Sequence, residues 1–251
     1  MLETKDLTIR FGGHVAVDHV SCAFERGTLT AIVGPNGAGK TTYFNLISGQ
    51  LRASSGSVHL KGVDITHESA SARTHLGLGR AFQLTQLFPN LSVVENVRLA
   101  VQSRRKQGLN MWSVWLDHRN TLERAHALVE RVKLGDRAQA TAASLPHGDQ
   151  RKLEVAMLMA LEPMVYMFDE PTAGMSVDDV PVILDLIRAL KQESNKTVLL
   201  VEHKMDVVRE LADRIIVLHN GQLVADGEPA AVIASPIVQS AYLGVTSEEA
   251  Q

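Results

Sequence analysis

The segment that most constrains how this 251-residue chain folds is GPNGAGKTT, residues 34–42. It directly follows the apolar run TLTAIV (28–33) and opens a helix-forming pattern. Glycines at this spacing let backbone N–H groups curl around phosphate oxygens, and the N-terminus of the following helix adds a partial positive charge. In such a loop Lys40 reaches the terminal phosphates, and the Thr41 hydroxyl can bind Mg²⁺. The segment therefore predicts a strand–loop–helix unit that holds a nucleoside triphosphate.

Two further strand ends carry chemically useful side chains. The segment MVYMFDEPTAG (164–174) ends an apolar run with Asp169 and Glu170, and TVLLVEHKMD (197–206) ends another with His203. An Asp-Glu pair before proline can equally be a solvated turn, and a lone histidine is more often an ordinary core or surface residue. Ligands of parallel α/β sheets bind at the carboxyl ends of the strands, which favours a functional role for all three residues. Asp169 suits a magnesium-linked role, and Glu170 could polarise an attacking water.

The hydrophobic pattern predicts an α/β fold with a largely parallel sheet. The runs AIVG and MVYMF are apolar without alternation, which is typical of strands covered by helices on both faces. The region from about Gln86 to Met159 shows helical patterns with hardly any strand signal, and we interpret it as a helical lobe inserted in the sheet domain. Predicted strands are LETKDLTIR, TLTAIVG, SVHLKG, MVYMFDE, TVLLVEH and DRIIVLHNGQLVADG. Predicted helices start near Lys40, Ser92, Arg119, Asp149, Asp178, Met205 and Glu228.

Composition excludes several classes of partner and setting. A net charge of -3 with 21% charged residues gives no overall positive electrostatic field that would attract nucleic acid. The single cysteine, Cys22, cannot form an internal disulfide, and MLETKDLTIR lacks the apolar core of a signal peptide, so we expect a reducing cytosol. No apolar run approaches the roughly 20 residues that span a bilayer.

The order of these parts resembles the nucleotide-binding subunits of ABC transporters over essentially the whole chain. GPNGAGKTT matches their Walker A motif, MVYMFDE matches Walker B with the catalytic glutamate at Glu170, and His203 falls on their switch histidine. The resemblance implies that residues 1–251 form one nucleotide-binding domain. It implies a P-loop NTPase (RecA-like) core with a largely parallel sheet, an antiparallel β subdomain and an inserted helical lobe at about 86–159.

The resemblance also assigns roles to individual residues. It implies ATP and Mg²⁺ as cofactors, a catalytic set of Glu170, His203, Gln83 and Lys40, and Thr41, Gln83 and Asp169 at the metal. Phe11 falls where an aromatic ring stacks on adenine, and AGMS (173–176) falls on a loop that contacts the second subunit. The residues implied to bind the nucleotide are Phe11, Gly34, Pro35, Asn36, Gly37, Ala38, Gly39, Lys40, Thr41, Thr42, Leu145, His147, Gly148 and Asp149.

The segment LPHGDQ (145–150) departs from the family's usual LSGGQ turn, which closes over the γ-phosphate bound by the partner subunit. Pro146 offers neither a hydroxyl nor an N–H group, so the turn would rely on the backbone donors of His147, Gly148 and Asp149. A carboxylate at Asp149 suits a helix start but would lie close to an anionic phosphate, so we expect some weakening of affinity. The alternative is an ordinary helix cap that binds nothing.

A narrower resemblance concerns the transported solute. FGGHVAVDHVS, GLGRAFQ, VEHKMDVV and the closing AYLG are similar to the ATP-binding subunits of branched-chain, or hydrophobic, amino acid importers. LPHGDQ with AGMS is also close to urea and short-chain amide importers. Such a subunit would work at the cytoplasmic face of the inner membrane, bound to transmembrane permease subunits. It would form a head-to-tail dimer with an identical or sister ATP-binding subunit, and it would act indirectly with a solute-binding protein.

Other functions for the chain stay open at this stage. A soluble ABC ATPase acting on DNA or ribosomes is disfavoured because the chain has no basic extension or second cassette. A regulatory module that cannot hydrolyse ATP is disfavoured by the joint presence of Lys40, Asp169, Glu170 and His203. In the helical lobe, SRRKQGLNMWSVW (103–115) could touch a membrane-embedded partner or anionic lipid, or could be a solvated charge run with packed tryptophans.

Overall fold

A computed structural model describes residues 1–81, 87–104, 114–192 and 195–243, with the backbone alone for 114–118 and 241–243. Its strands are β1 (Leu2–Phe11), β2 (His14–Phe24), β3 (Leu29–Val33), β4 (Ser55–Leu60), β5 (Val63–Asp64), β6 (Leu78–Ala81), β7 (Val165–Asp169), β8 (Thr197–Val201), β9 (Arg214–His219) and β10 (Gln222–Gly227). Its α-helices are α1 (Lys40–Ser48), α2 (Ala70–Leu76), α3 (Val93–Arg104), α4 (Val114–Arg131), α5 (His147–Ala160), α6 (Val180–Gln192), α7 (Met205–Leu211), α8 (Pro229–Ile233) and α9 (Pro236–Leu243). Short 3₁₀ turns lie at Gly135–Arg137 and Ala142–Ser144.

The chain divides into two compact units. We call residues 1–78, 164–170 and 190–251 the sheet unit, and residues 79–163 and 171–189 the helical unit. In the sheet unit, strands follow the order β10-β9-β3-β8-β7, and β9, β3, β8 and β7 run parallel. The expected α/β fold with a largely parallel sheet is thus confirmed. Strand β10 is antiparallel to β9 because Asn220 and Gly221, both with positive φ, close a tight hairpin turn.

Strand β3 is buried along its whole length, as its uninterrupted apolar run predicts. Ile32 packs into a core cluster shared with β1, β2 and α1. Ala31 and Val33 point to the opposite face and pack with residues of α7, β9 and α8, such as Val208 and Ile215. A central strand with apolar side chains on both faces fixes the position of the loop that follows it.

A second, antiparallel sheet of order β2-β1-β4-β5 also belongs to the sheet unit, in agreement with the antiparallel subdomain that the family resemblance implies. Helix α1 is attached to this sheet by a buried hydrogen bond of 2.8 Å between the Tyr43 hydroxyl and Thr4 Oγ1. Tyr43, Phe44 and Ile47 of α1 are fully buried in the same core cluster as Leu2. Their burial holds α1 in place along its length.

In the helical unit, helix α3 packs against α4 and α5. Several predicted boundaries shift. Helix α4 begins five residues before Arg119, α5 begins two before Asp149, and α6 begins two after Asp178. Asp149 lies in the first turn of α5, where an acidic residue is as favourable as at the cap. Strands β2, β5 and β6 and helices α2 and α9 were not predicted from the pattern. No helix within the described ranges is long and apolar enough to cross a bilayer.

A buried arginine anchors the far end of α1. Arg73 of α2 is 2% exposed, and its Nη1 donates to the carbonyls of Leu46 and Ile47 at 2.7 and 2.6 Å. Its Nε and Nη2 donate to the carbonyls of Glu68 and Thr66. Burial lowers the pKa of Arg73, while nearby carboxylates oppose that shift. The last carbonyls of a helix lack the regular partner within the helix, and this guanidinium gives two carbonyls in the last turn of α1 a charged donor.

Replacing Arg73 with methionine is expected to lower the free energy of unfolding by about 3 kcal/mol, because two buried and two partly buried carbonyls lose a charged donor. Urea denaturation followed by circular dichroism measures the change. Arg52→Met, at an exposed arginine after α1, serves as the control and should change stability by less than about 0.5 kcal/mol. Equal midpoints for the two variants would contradict the anchoring role.

Candidate active site

The loop from Gly34 to Gly39 is fixed by close contacts of its backbone. Gly34 has φ 153°, and a Cβ there would lie 2.2 Å from the Leu218 carbonyl oxygen. Gly39 has φ 95°, and a Cβ there would lie 2.4 Å from the Ala16 carbonyl oxygen. Both positions therefore require glycine, for backbone conformation and for space. The Gly221 N–H donates to the Ala38 carbonyl at 3.1 Å and joins the loop to the β9–β10 turn.

Helix α1 starts directly after this loop, with Gly39 as its N-cap. Glycine has no side chain to accept from the first N–H groups of the helix, so the positive end of the helix dipole is available to an anion. Lys40 is buried, and its Nζ donates to the carbonyls of Gly34 and Pro35 at 2.7 and 2.9 Å. Burial lowers the pKa of Lys40, and the carboxylates of Glu170 and Asp169 act in the opposite direction. The lysine ammonium thus lies over the loop, in the field of both acidic residues.

Asp169 and Glu170 end strand β7 in different environments. Asp169 pairs with Val201 of the parallel strand β8 and is 2% exposed. Glu170 adopts φ 50°, and its N–H donates to the Val201 carbonyl at 2.9 Å. A left-handed conformation is uncommon for glutamate and turns the chain sharply. This turn brings the Glu170 side chain to the cleft. Asp169 remains buried, and its carboxylate acts to raise the pKa of Lys40.

His203 meets Glu170 directly. Its Nε2 lies 2.6 Å from Glu170 Oε1, and both side chains line the same cleft. The backbone N–H groups of His203 and Lys204 donate to Glu202 Oε2 at 2.9 and 3.2 Å. Glu202 is 3% exposed, and it fixes the turn that presents the histidine. Sequence reasoning missed Glu202, although an acidic residue at the end of an apolar strand is itself a signal of a special environment.

Lys40, Glu170 and His203 line one cleft of about 420 Å³ in the sheet unit, and the buried Asp169 is not among its lining residues. Phe11 is half exposed at its edge. The cleft is lined by Phe11, His14, Ala16, Asn36, Gly37, Ala38, Gly39, Lys40, Thr41, Thr42, Glu170 and His203. The structure thus brings the predicted loop, Glu170, His203 and Phe11 together, and it adds His14, which the sequence did not suggest. Gln83 lies outside the described residues.

The cleft fits a nucleoside triphosphate with a bound Mg²⁺. Its volume is within the usual range of small-molecule sites, about 300–1,000 Å³. Backbone donors, the Lys40 ammonium and the α1 N-terminus suit phosphate oxygens. Oxygen donors from Thr41 and Asp169 suit Mg²⁺, which keeps several waters and binds through one or two carboxylates together with substrate phosphates. The aromatic ring of Phe11 offers a flat apolar surface for a base.

The LPHGDQ turn forms the start of α5 in the helical unit. Pro146 is the N-cap and supplies no side-chain hydrogen bond, and Leu145 is buried beneath the turn. Gln150 Nε2 donates to the Leu145 carbonyl at 2.9 Å and closes the turn. His147 is exposed, and its ring lies against Gly174 of the AGMS loop. The carboxylate of Asp149, expected to face a phosphate, is paired with Arg137 and Lys152.

Comparison with known proteins agrees with this geometry. The ABC transporter family model matches residues 17–173. The chain is 34% identical over 249 residues to the high-affinity branched-chain amino acid transport ATP-binding protein LivG of Escherichia coli, covering 97% of this chain and 98% of that protein. It is 36% identical over 251 residues to BraF of Pseudomonas aeruginosa, which has the same description, covering 97% and 98%. It is 33% identical over 251 residues to a probable LivG of Archaeoglobus fulgidus, covering 99% and 97%.

Comparison with solved structures leads to the same family assignment. A crystal structure of the ADP conformation of an ATP-binding cassette of an ABC transporter has a TM-score of 0.82 and 29% identity, covering 98% of this chain and 99% of that one. A nucleotide-free ATP-binding cassette from an ABC transporter has a TM-score of 0.83 and 28% identity, with the same coverage. The family resemblance seen in the sequence motifs is confirmed. The chain therefore belongs to the ABC transporter family and is one of its ATP-binding cassettes.

Proposed function

We propose that this chain is the ATP-hydrolysing subunit of an ABC importer for branched-chain or other hydrophobic amino acids. Residues 1–251 would form one nucleotide-binding domain with its helical subdomain at about 86–159. The observation that carries the proposal is the contact between Glu170 and His203 in the same cleft as Lys40. A cleft used only for binding nucleotide has no need of a paired carboxylate and imidazole at the position of the terminal phosphate.

Residues in and beside the cleft would share the work of hydrolysis. Phe11 stacks on the base, and residues 34–42 with Lys40 bind the phosphates. Thr41, Asp169 and Gln83 would hold Mg²⁺, which when bound would supply positive charge opposite the phosphate oxygens. Glu170 orients the attacking water and takes its proton. His203 contacts the Glu170 carboxylate through Nε2 and would keep it in position, while Glu202 fixes the backbone of the turn that carries His203.

Replacing Glu170 with glutamine is expected to slow ATP hydrolysis on the order of 100- to 1,000-fold, because the amide cannot accept the proton of the water. Binding of ATP should change little, since Lys40 and the loop are untouched. Phosphate release measures the rate, and titration with a fluorescent ATP analogue measures the affinity. Glu123→Gln, at an exposed glutamate of α4, is the matched control. A Glu170→Gln enzyme as fast as the parent would exclude this mechanism.

The active form is proposed to be a head-to-tail dimer. In it, the LPHGDQ turn of one subunit closes over the terminal phosphate bound by the other, through the N–H groups of His147, Gly148 and Asp149. Pro146 cannot donate, so the α5 N-terminus supplies the attraction. Leu145, buried below, supports the turn. ATP would join the two subunits, and hydrolysis would release them.

The Glu170→Gln variant should therefore change from monomer to dimer when Mg-ATP is added, because trapped ATP holds both turns closed. Multi-angle light scattering with and without Mg-ATP measures the mass. The double variant Lys40→Ala with Glu170→Gln cannot hold the phosphates and should stay monomeric. If Glu170→Gln binds ATP and also stays monomeric, self-pairing is wrong, and a sister ATP-binding subunit or the membrane subunits must complete the site.

The solute and membrane partners are proposed from the relatives. LivG and BraF are described as branched-chain amino acid transport ATP-binding proteins. Transmembrane permease subunits would anchor this chain peripherally at the cytoplasmic membrane face, and a solute-binding protein would deliver the solute. The helical unit offers an apolar groove of about 390 Å³ for a permease segment, lined in part by Phe88, Leu99, Met157 and Leu161. Residues 105–113 of the basic and tryptophan-containing stretch lie outside the described residues.

Transport is tested by reconstituting the chain with its permease subunits and binding protein in proteoliposomes. ATP-dependent uptake of radiolabelled leucine is expected, and excess valine should compete with it. Urea should neither compete nor be taken up. The same complex with Glu170→Gln is the control for coupling and should show little uptake, because transport depends on hydrolysis. Uptake of urea without leucine would assign the chain to the urea and short-chain amide importers.

A further inference from the structure

The first turn of α5 contains an ion-pair network that the hydrolytic mechanism does not use. Lys152 lies one turn after Asp149 on α5, and its side chain is 8% exposed. Its Nζ donates to Asp149 Oδ1 at 2.9 Å and to Asp179 Oδ1 at 2.5 Å. Arg137 Nη1 lies 2.6 Å from the other oxygen of Asp149. Two cations and two anions thus balance within the helical unit, and the charge of Asp149 is compensated there.

Asp179 links this network to the loop that precedes α6. Its Oδ2 accepts a hydrogen bond of 2.7 Å from Ser176 Oγ, the last residue of the AGMS loop. The same oxygen approaches the backbone of Gly148, where an added Cβ would lie only 2.5 Å from it. Gly148 is therefore a glycine partly because the carboxylate of Asp179 occupies the adjacent space. The α5 turn and the AGMS loop are thus connected through Asp179, which pairs with Lys152 and accepts from Ser176, and directly where the His147 ring meets Gly174.

We propose that Lys152 is a positioning residue that locks the LPHGDQ turn to the AGMS loop, so that both are presented as one preorganised surface to the second subunit. The inference rests on the proposed function, because it assigns this surface to the dimer contact. The loss of the serine hydroxyl at Pro146 makes the placement of the backbone donors more important. Donors that are held in place before binding add more affinity than donors that must be ordered during binding.

The location of Lys152 favours a positioning role over direct contact with nucleotide. Two of its three ammonium hydrogens are used by the two aspartates, and the side chain is buried. Burial alone would lower its pKa, but the hydrogen bonds to Asp179 and Asp149 outweigh burial and raise it. The hydrogen bond from Lys152 also lowers the pKa of Asp179. Removing the ammonium would leave two carboxylates close together at the base of the turn, where they repel each other.

The test uses Lys152→Met in the Glu170→Gln background. The dissociation constant of the Mg-ATP-dependent dimer, measured by sedimentation velocity, should rise on the order of tenfold. Affinity of the dilute monomer for a fluorescent ATP analogue should stay within about twofold, because that site lies in the sheet unit. Lys152→Arg keeps the charge and the donors and should recover most of the dimer affinity. A merely structural role would alter both measurements or neither.

Two further variants complete the test, one as a control and one as a second probe of the Lys152–Asp179 contact. Arg124→Met removes an exposed ion pair with Glu162 in the same unit and should leave the dimer constant unchanged. Asp179→Asn keeps the shape of the side chain and should weaken the dimer in the same direction as Lys152→Met, by a smaller factor. It replaces Lys152→Met if that variant does not fold.

The two ways of failing are distinguishable. A parent Glu170→Gln protein that stays monomeric overturns self-pairing, and with it the inference that depends on that surface. A parent that dimerises, with Lys152→Met and Asp179→Asn dimerising as tightly, overturns the positioning role alone. The positioning role is supported if Lys152→Met weakens the dimer without changing ATP binding by the monomer, and if Lys152→Arg recovers the dimer affinity.

Discussion

The contact of the 34–39 loop with two neighbouring carbonyl groups is the constraint on which the rest of the cleft depends. The Cα atoms of Gly34 and Gly39 lie so close to the carbonyls of Leu218 and Ala16 that no side chain fits. These carbonyls belong to β9 and β2, one from each sheet of the sheet unit. The loop is therefore positioned by the meeting of the two sheets, and the direction of α1 follows from it. Arg73 and Tyr43 maintain that direction further along the helix.

The contact between Glu170 and His203 depends on backbone geometry in a different way. Glu170 and His203 follow the ends of adjacent parallel strands, so their proximity is a consequence of strand order. The left-handed conformation of Glu170 costs on the order of 1 kcal/mol or more, and the surrounding hydrogen bonds must maintain it. The hydrogen bond from the Glu170 N–H to the Val201 carbonyl maintains this conformation at the end of β7. The Glu202 carboxylate accepts from the His203 N–H and fixes the turn after β8 in the same way. The ends of two adjacent strands thus hold both side chains in contact.

The sequence was informative where local pattern and function coincide. GPNGAGKTT after a buried strand predicts β3, the loop and α1, because glycine spacing, strand burial and helix start all appear within fifteen residues. Strand β2 was missed because its alternation is interrupted: His19 adopts φ 51° and shifts the register between Val17 and Val20. Helix α2 is short and polar, and its one fully buried side chain is the charged Arg73, so it carries little helical hydrophobic pattern. Such elements are determined by tertiary contacts between residues distant in sequence, which a short sequence segment does not reveal.

Asp149 shows the same limit at a functional position. Considered alone, a carboxylate at the start of α5 suggests repulsion of a phosphate, and the sequence gives no reason to think otherwise. Its partners are Arg137, twelve residues earlier, and Lys152, which in turn engages Asp179 at the start of another helix. The charge of a residue is therefore a poor guide to the potential it creates, because neighbours distant in sequence can cancel it. At the LPHGDQ turn, compensation of the carboxylate leaves the backbone donors and the helix dipole as the groups that can attract an anion. In the proposed dimer, a turn without serine would then bind phosphate through its backbone, provided that this backbone is held in place.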